Sequence, residues 1–233
     1  MDTSVSNEDF LATVAEKSNG AALRGDYEHM DAHYVVQQNW DNYTEQEHEL
    51  WRKLYQRQSA LLPGRACDEF IEALAKMDIS AGIPVFEKTS KELFAATGWT
   101  IVAVPGLIPE LTFFDHLANR RFPVTVWLRK PEEFNYIVEP DVFHDFFGHV
   151  PLLFNPVFAD YMQRYGQGGL KAMRLGGLDE LARLYWYTVE FGLINTPAGV
   201  RIYGAGILSS GGEVEYCLTR GTKSRHIRLD IER

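Results

Sequence analysis

A mainly α fold with a few short β-strands, an α+β single domain, is what this sequence predicts. Three observations carry it. Helix-capping signals recur along the chain, runs rich in β-branched residues are few and short, and no break in composition divides the 233 residues. One hydrophobic core serves a chain of that length. The reading gives about eight helices and two or three strands, with no repeat and no βαβ alternation.

Residues 1 to about 40 mix polar and small side chains without a period, so a loosely attached N-terminal arm is expected there, with the ordered domain over 41–233. The domain opens at TEQE, where Thr44 and Glu47 have the capping-box spacing, and the helix TEQEHELWRKLYQRQSALL runs to Pro63 and Gly64. CDEFIEALAKM follows as a second helix. TSKELFAATG repeats the pattern, with Thr89 and Glu92 as its box and Gly98 as its stop. WTIVAV reads as a strand, PELTFFDHLANRRF as a helix with Pro109 in its first turn, and VTVWLR as a second strand. NPVFADYMQRYG and LDELARLYWYTVEFGLIN are two further helices. RIYGAGILSS is a glycine-containing strand or turn, and GEVEYCLT a short helix.

Composition excludes several functions. Acids outnumber bases 32 to 23, a net charge of −9, and the bases form no stripe, so no nucleic-acid partner is expected. No apolar run reaches the roughly 20 residues of a membrane span, and the start MDTSVSNEDF carries acids where a signal peptide needs positive charge. A soluble cytoplasmic protein without a membrane partner is expected. Cys67 and Cys217 are far apart and helix-flanked, which predicts buried thiols and not a disulfide.

The chemistry concentrates in PDVFHDFFGHVPLL, where His144 and His149 stand five residues apart. In an α-helix that spacing separates side chains by about 140° and about 7.5 Å along the axis, too far to share one ion. Gly148 and Pro151 predict that the helix ends or widens there, which would let His149 swing back beside His144. Pro140 and Asp141 mark the start, Asp141 as N-cap. An ordinary histidine pair is the bland reading. Glu190 weighs against it, because it is the only charge in LYWYTVEFGLI and an unpaired buried carboxylate costs several kcal/mol. It needs an arginine, a proton or a metal. Two imidazoles and a carboxylate suit a hydrolytic zinc or a non-haem Fe(II), and ligand types alone do not choose between them.

PDVFHDFFGHVPL, LYWYTVEFGL and YGAGILSS, in that order, resemble the catalytic domain of the pterin-dependent aromatic amino acid hydroxylases, in particular their bacterial phenylalanine-hydroxylating members, from about Tyr27 through Glu232. The resemblance implies a monooxygenase that converts L-phenylalanine to L-tyrosine with O2 and tetrahydrobiopterin or a related tetrahydropterin, its Fe(II) held by His144, His149 and Glu190. It further implies Arg129 at the substrate carboxylate, Trp186 and Ser209 beside the substrate, and Gly106, Leu107, Ile108, Phe113, Tyr185 and Asp145 at the pterin. Trp186 stands one turn before Glu190 on the face of the expected α-helix. Phe143, Phe146 and Phe147 are read as core, Tyr27 is weighed as a substrate lid, and His29, His33, His48, His116 and His226 as ordinary histidines. The alternatives are a tryptophan or tyrosine hydroxylase of the same family, a zinc hydrolase with Asp145 as base, or a non-catalytic helical module whose Glu190 meets an arginine. The chain lacks the regulatory domain and tetramerisation helix of animal members and stops at LDIER, where the family continues. The resemblance therefore implies a monomer and a truncated or naturally short form.

Overall fold

The computed structural model describes residues 24–218 together with His226 and Arg228. Its first long helix, α1 (Glu45–Leu61), starts as its sequence demands. The Thr44 side chain accepts from the Glu47 N–H while the Glu47 carboxylate takes the Thr44 N–H, closing the capping box. α2 (Asp68–Lys76) follows. α3 (Phe86–Thr97) begins four residues earlier than the Thr89 box predicts, so Thr89 lies buried inside the helix. Its expected stop holds, with Gly98 in the left-handed region at φ 76°.

β1 (Thr100–Val104), α4 (Glu110–Ala118) and β2 (Arg121–Thr125) form a parallel pair joined by a helix, with Thr100 opposite Arg121 and Val104 opposite Thr125. The expectation of no βαβ arrangement is corrected to one such unit. The second strand also lies earlier than VTVWLR and takes in Pro123. A two-stranded sheet leaves an open edge along each strand, where a residue without an N–H loses no ladder bond.

A π-helix over Phe143–His149 leads into the short α5 (Val150–Leu153). α6 (Pro156–Leu175) runs past Gly166, where the sequence suggests a stop. Its glycines serve packing instead: a Cβ on Gly169 would stand 2.0 Å from the Phe114 ring of α4. α7 (Leu178–Tyr185) continues into a second π-helix, Trp186–Glu190. Then come the antiparallel pair β3 (Leu193–Thr196) and β4 (Gly199–Ile202), the short α8 (Ala205–Leu208), and α9 (Gly211–Leu218).

The core sits where the first π-helix meets α1, α2 and α3. Phe143 and Phe147 stack at 4.8 Å, Trp51 meets Phe143 edge-on at 5.1 Å, and Phe86 stacks on Phe146 at 5.8 Å. Phe143, Phe146 and Phe147 are fully buried, which bears out their reading as core, and Cys67 and Cys217 are free and buried. Residues 1–23 of the expected arm lie outside the described residues. Residues 24–43 run along the core, tied by Val36 N–H to Ala103 O at 2.9 Å, Trp40 Nε1 to Ile83 O at 2.7 Å and Gln38 Nε2 to Pro84 O at 2.7 Å. Among the described residues no helix is long and apolar enough to cross a membrane.

Candidate active site

A π-helix hydrogen-bonds residues five apart, so it presents i and i+5 on one side where an α-helix would part them. The first π-helix therefore solves the spacing problem posed by His144 and His149, whose rings approach to 5.2 Å. Gly148 makes the widened turn possible to pack, since a Cβ there would stand 2.9 Å from the Ala205 carbonyl of α8.

The second π-helix delivers Glu190. His149 Nε2 lies 3.2 Å from Glu190 Oε1 and His144 Nε2 lies 3.6 Å from Glu190 Oε2. One ligand atom from each of the three falls within 4.8 Å of the others. Those separations are near the spacing of about 3 Å expected of atoms that each stand about 2.1 Å from a common ion. Glu190 is 9% exposed, and burial alone would raise its carboxyl. The positive charge available on His149 and His144 outweighs that and holds it down to about 2. The site thus keeps a buried anion facing two imidazoles. Two nitrogens and one oxygen on a single side also fit a divalent metal with coordination positions left over.

Hydrogen bonds select the imidazole tautomer. The Ser209 hydroxyl donates its one proton to Ala205 O at 2.8 Å, so at 3.0 Å it accepts from His144 Nδ1–H. In the neutral ring that metal binding requires, the Nε2 of His144 then carries the lone pair on the side shared with His149 and Glu190. Ser209 is thus placed against one of the two clustered histidines, and its hydroxyl sets that ring.

Arg129 and Asp141 form a buried pair, 4% and 0% exposed at their side chains, with Nε to Oδ2 at 2.8 Å and Nη2 to Oδ1 at 2.9 Å. Asp141 also accepts the N–H of His144 at 3.0 Å, bearing out its reading as a cap, and the N–H of Arg129 at 3.0 Å. Sequence reasoning missed the pair because its members stand twelve positions apart with no regular period linking them. Asp145 Oδ2 accepts the Thr125 N–H at 2.8 Å, and burial raises its carboxyl against the pull of His144 and His149.

Around the cluster runs an aromatic wall. Tyr185 stands 6.3 Å from His149 in stacked orientation and 5.6 Å from Phe113 edge-on. Burial pushes the Tyr185 phenol well above its ordinary value, so it stays protonated. Gly106, Leu107 and Ile108 form the turn after β1, and their three amides donate to no acceptor among the described residues. A wall of rings beside a turn with free donors fits a flat, hydrogen-bonding heterocycle. The α-helical face argued for Trp186 is corrected. The helix is π there, the Phe191 N–H bonds Trp186 O, and the residue five before Glu190 is Tyr185. Trp186 is 58% exposed and packs on Phe191 at 4.8 Å.

Comparison with known proteins decides the family. The family described as biopterin-dependent aromatic amino acid hydroxylase matches residues 22–232. The chain belongs to that family. This hydroxylase chain is 63% identical over 201 residues to the phenylalanine-4-hydroxylase of Chromobacterium violaceum, covering 86% of itself and 67% of the relative. It is 58% identical over 220 residues to the enzyme of the same name from Ralstonia nicotianae, covering 94% of itself and 68% of the relative. The crystal structure of the C. violaceum enzyme with iron and phenylalanine bound superposes with a TM-score of 0.77 at 59% identity, over 89% of this chain and 73% of that one. The form of that enzyme with iron(III) and 7,8-dihydrobiopterin gives 0.80 at 59% identity, over 89% and 74%. The zinc-hydrolase and binding-module readings fall with the family assignment, and among the described residues no arginine pairs with Glu190.

Proposed function

We propose that this chain is a phenylalanine 4-monooxygenase that hydroxylates L-phenylalanine to L-tyrosine, with His144, His149 and Glu190 as the ligands of its Fe(II). The observation that supports it most is the convergence of those three side chains from two π-helices onto one point. Bound iron and reduced tetrahydropterin supply the O2 activation that no side chain can perform. The chain's own residues position and shield.

Ser209 keeps His144 turned toward the metal. Asp141 holds Arg129 by one edge of its guanidinium, and the remaining Nη1 faces the substrate carboxylate in this reading. Trp186, backed by Phe191, forms the outer edge of the ring pocket. Phe113 and Tyr185 stack beside the pterin, the free amides of the 106–108 turn take its polar edge, and Asp145 buttresses the floor through Thr125. The buried aromatic surround excludes water from the reacting ring. Residues 41–233 form the catalytic domain behind the arm, and the enzyme works as a monomer in the cytoplasm.

The test supplies iron-loaded protein with a tetrahydropterin, O2 and each of phenylalanine, tyrosine and tryptophan in turn. Tyrosine formed from phenylalanine at the highest kcat/KM is the expected product. A higher kcat/KM on tryptophan or tyrosine would move the assignment to another member of the family.

A further inference from the structure

We propose that Arg24 and Tyr27 form a strap that holds the 105–108 turn in shape for the pterin, which makes Tyr27 a positioning residue for cofactor binding. The inference rests on the reading of Gly106, Leu107 and Ile108 as the pterin segment.

The strap touches the turn at successive points. Tyr27 Oη donates to Leu107 O at 3.0 Å. Burial raises the Tyr27 phenol above its ordinary value, so the donor persists at every working pH. Gly106 sits at φ 154°, a region open only to glycine, and a Cβ there would lie 2.8 Å from Tyr27 Oη. The phenol occupies the space a side chain would need. Trp127 Nε1 donates to Pro105 O at 3.0 Å, and the Gly25 backbone lies so close that a Cβ on it would fall 1.7 Å from that same oxygen. Two carbonyls of the turn, at 105 and 107, are thus fixed by protein donors, while the amides of 106, 107 and 108 meet no acceptor among the described residues.

Arg24 anchors the strap. Its guanidinium lies over the Trp127 ring at 5.0 Å and grips both oxygens of Glu133, with Nη1 to Oε2 at 2.8 Å. The Arg24 hydrogen bond holds the Glu133 carboxyl at about 2. A peptide turn with a glycine at its centre is mobile unless its carbonyls are held, and preorganised donors bind a ligand without an ordering cost. The contacts reach the turn and not the metal cluster, so the strap acts on the cofactor and leaves phenylalanine alone.

Calorimetric titration of the full chain with 7,8-dihydrobiopterin and separately with phenylalanine, together with amide hydrogen exchange over 105–108, tests this. Tyr27→Phe keeps the ring and removes the hydroxyl. It should weaken dihydrobiopterin about three- to tenfold and speed exchange of the turn, with phenylalanine affinity unchanged. Arg24→Gln should move both readouts in the same direction, and Gly106→Ala should weaken dihydrobiopterin more strongly. If Gly106→Ala weakens it and Tyr27→Phe does not, the strap is refuted and the pterin segment stands. Unchanged affinity in both would overturn the segment reading and the strap with it. A loss of phenylalanine affinity alone in Tyr27→Phe would make Tyr27 a substrate lid and refute the strap.

Discussion

Ser209 shows how a single hydroxyl orients one imidazole of the site. Its proton is committed to Ala205 O, so it can only accept from His144 Nδ1, and the lone pair on Nε2 follows. Ser209→Ala should lower iron affinity or turnover by about 10- to 100-fold while the fold persists, read by metal titration beside a thermal melt. The Arg129–Asp141 pair makes a sharper demand on stability. Asp141→Asn leaves a buried guanidinium without its counter-charge and should cost about 3–5 kcal/mol, measured by urea unfolding. Its effect on the KM for phenylalanine should follow, because the same pair aims the guanidinium. At this scale the sequence was partly legible. The isolation of Glu190 among apolar neighbours announced a partner, and its partners are the two imidazoles. The double use of Asp141 was hidden, because an N-cap signal already explained that residue and nothing local points to Arg129.

Elements carry the site through a departure from α geometry. Two π-helices, Phe143–His149 and Trp186–Glu190, each bring a residue of the His144–His149–Glu190 cluster to a place from which an α-helix would turn it away. The first was foreshadowed by Gly148 and Pro151 in the sequence, whereas LYWYTVEFGL contains no proline or mid-helix glycine to mark the second. An α-helical period therefore points to Trp186 and not Tyr185 as the residue on the Glu190 face. The missed starts of α3 and β2 have a similar cause, since Phe86 and Pro123 are placed by tertiary packing and local signals favoured later residues. Close packing at the end of the second π-helix yields a prediction. A Cβ on Gly204 would stand 2.5 Å from Glu190 O and 2.4 Å from the Gly192 amide nitrogen. Gly204→Ala should cost about 1–3 kcal/mol and reduce iron occupancy although no ligand is changed, as thermal unfolding and metal analysis would show.

Over the whole molecule, the stretch 24–43 binds the N-terminal side of the structure to the βαβ unit, and one of its ties is pH-sensitive. His116 is fully buried on α4, and its Nε2 meets His33 O at 2.9 Å while Nδ1 has no partner among the described residues. Burial lowers its pKa, aided by Arg121 and opposed by the His33 bond and Asp115. The unfolded chain takes up this proton as pH falls through about 6.5, and the folded chain resists it. Stability is therefore intact above about 6.5 and is lost progressively on acidification below it. Urea midpoints at pH 7.5 and 5.5 should fall between the two in the parent and fall less in His116→Asn. The architecture as a whole, mainly helical with short strands, was legible because capping boxes and apolar periodicity are local signals. Its dependence on the N-terminal stretch was not, because the bonds that tie that stretch down reach across the chain to residues such as Pro84 and Ala103. The whole architecture converges on His144, His149 and Glu190, which two π-helices bring to one point suited to a single ion. Anaerobic Fe(II) titration of the full chain and of Glu190→Ala is the decisive test. One tightly bound iron per parent chain and none in the variant is the expected outcome, and an unchanged stoichiometry and affinity in Glu190→Ala would refute the shared site.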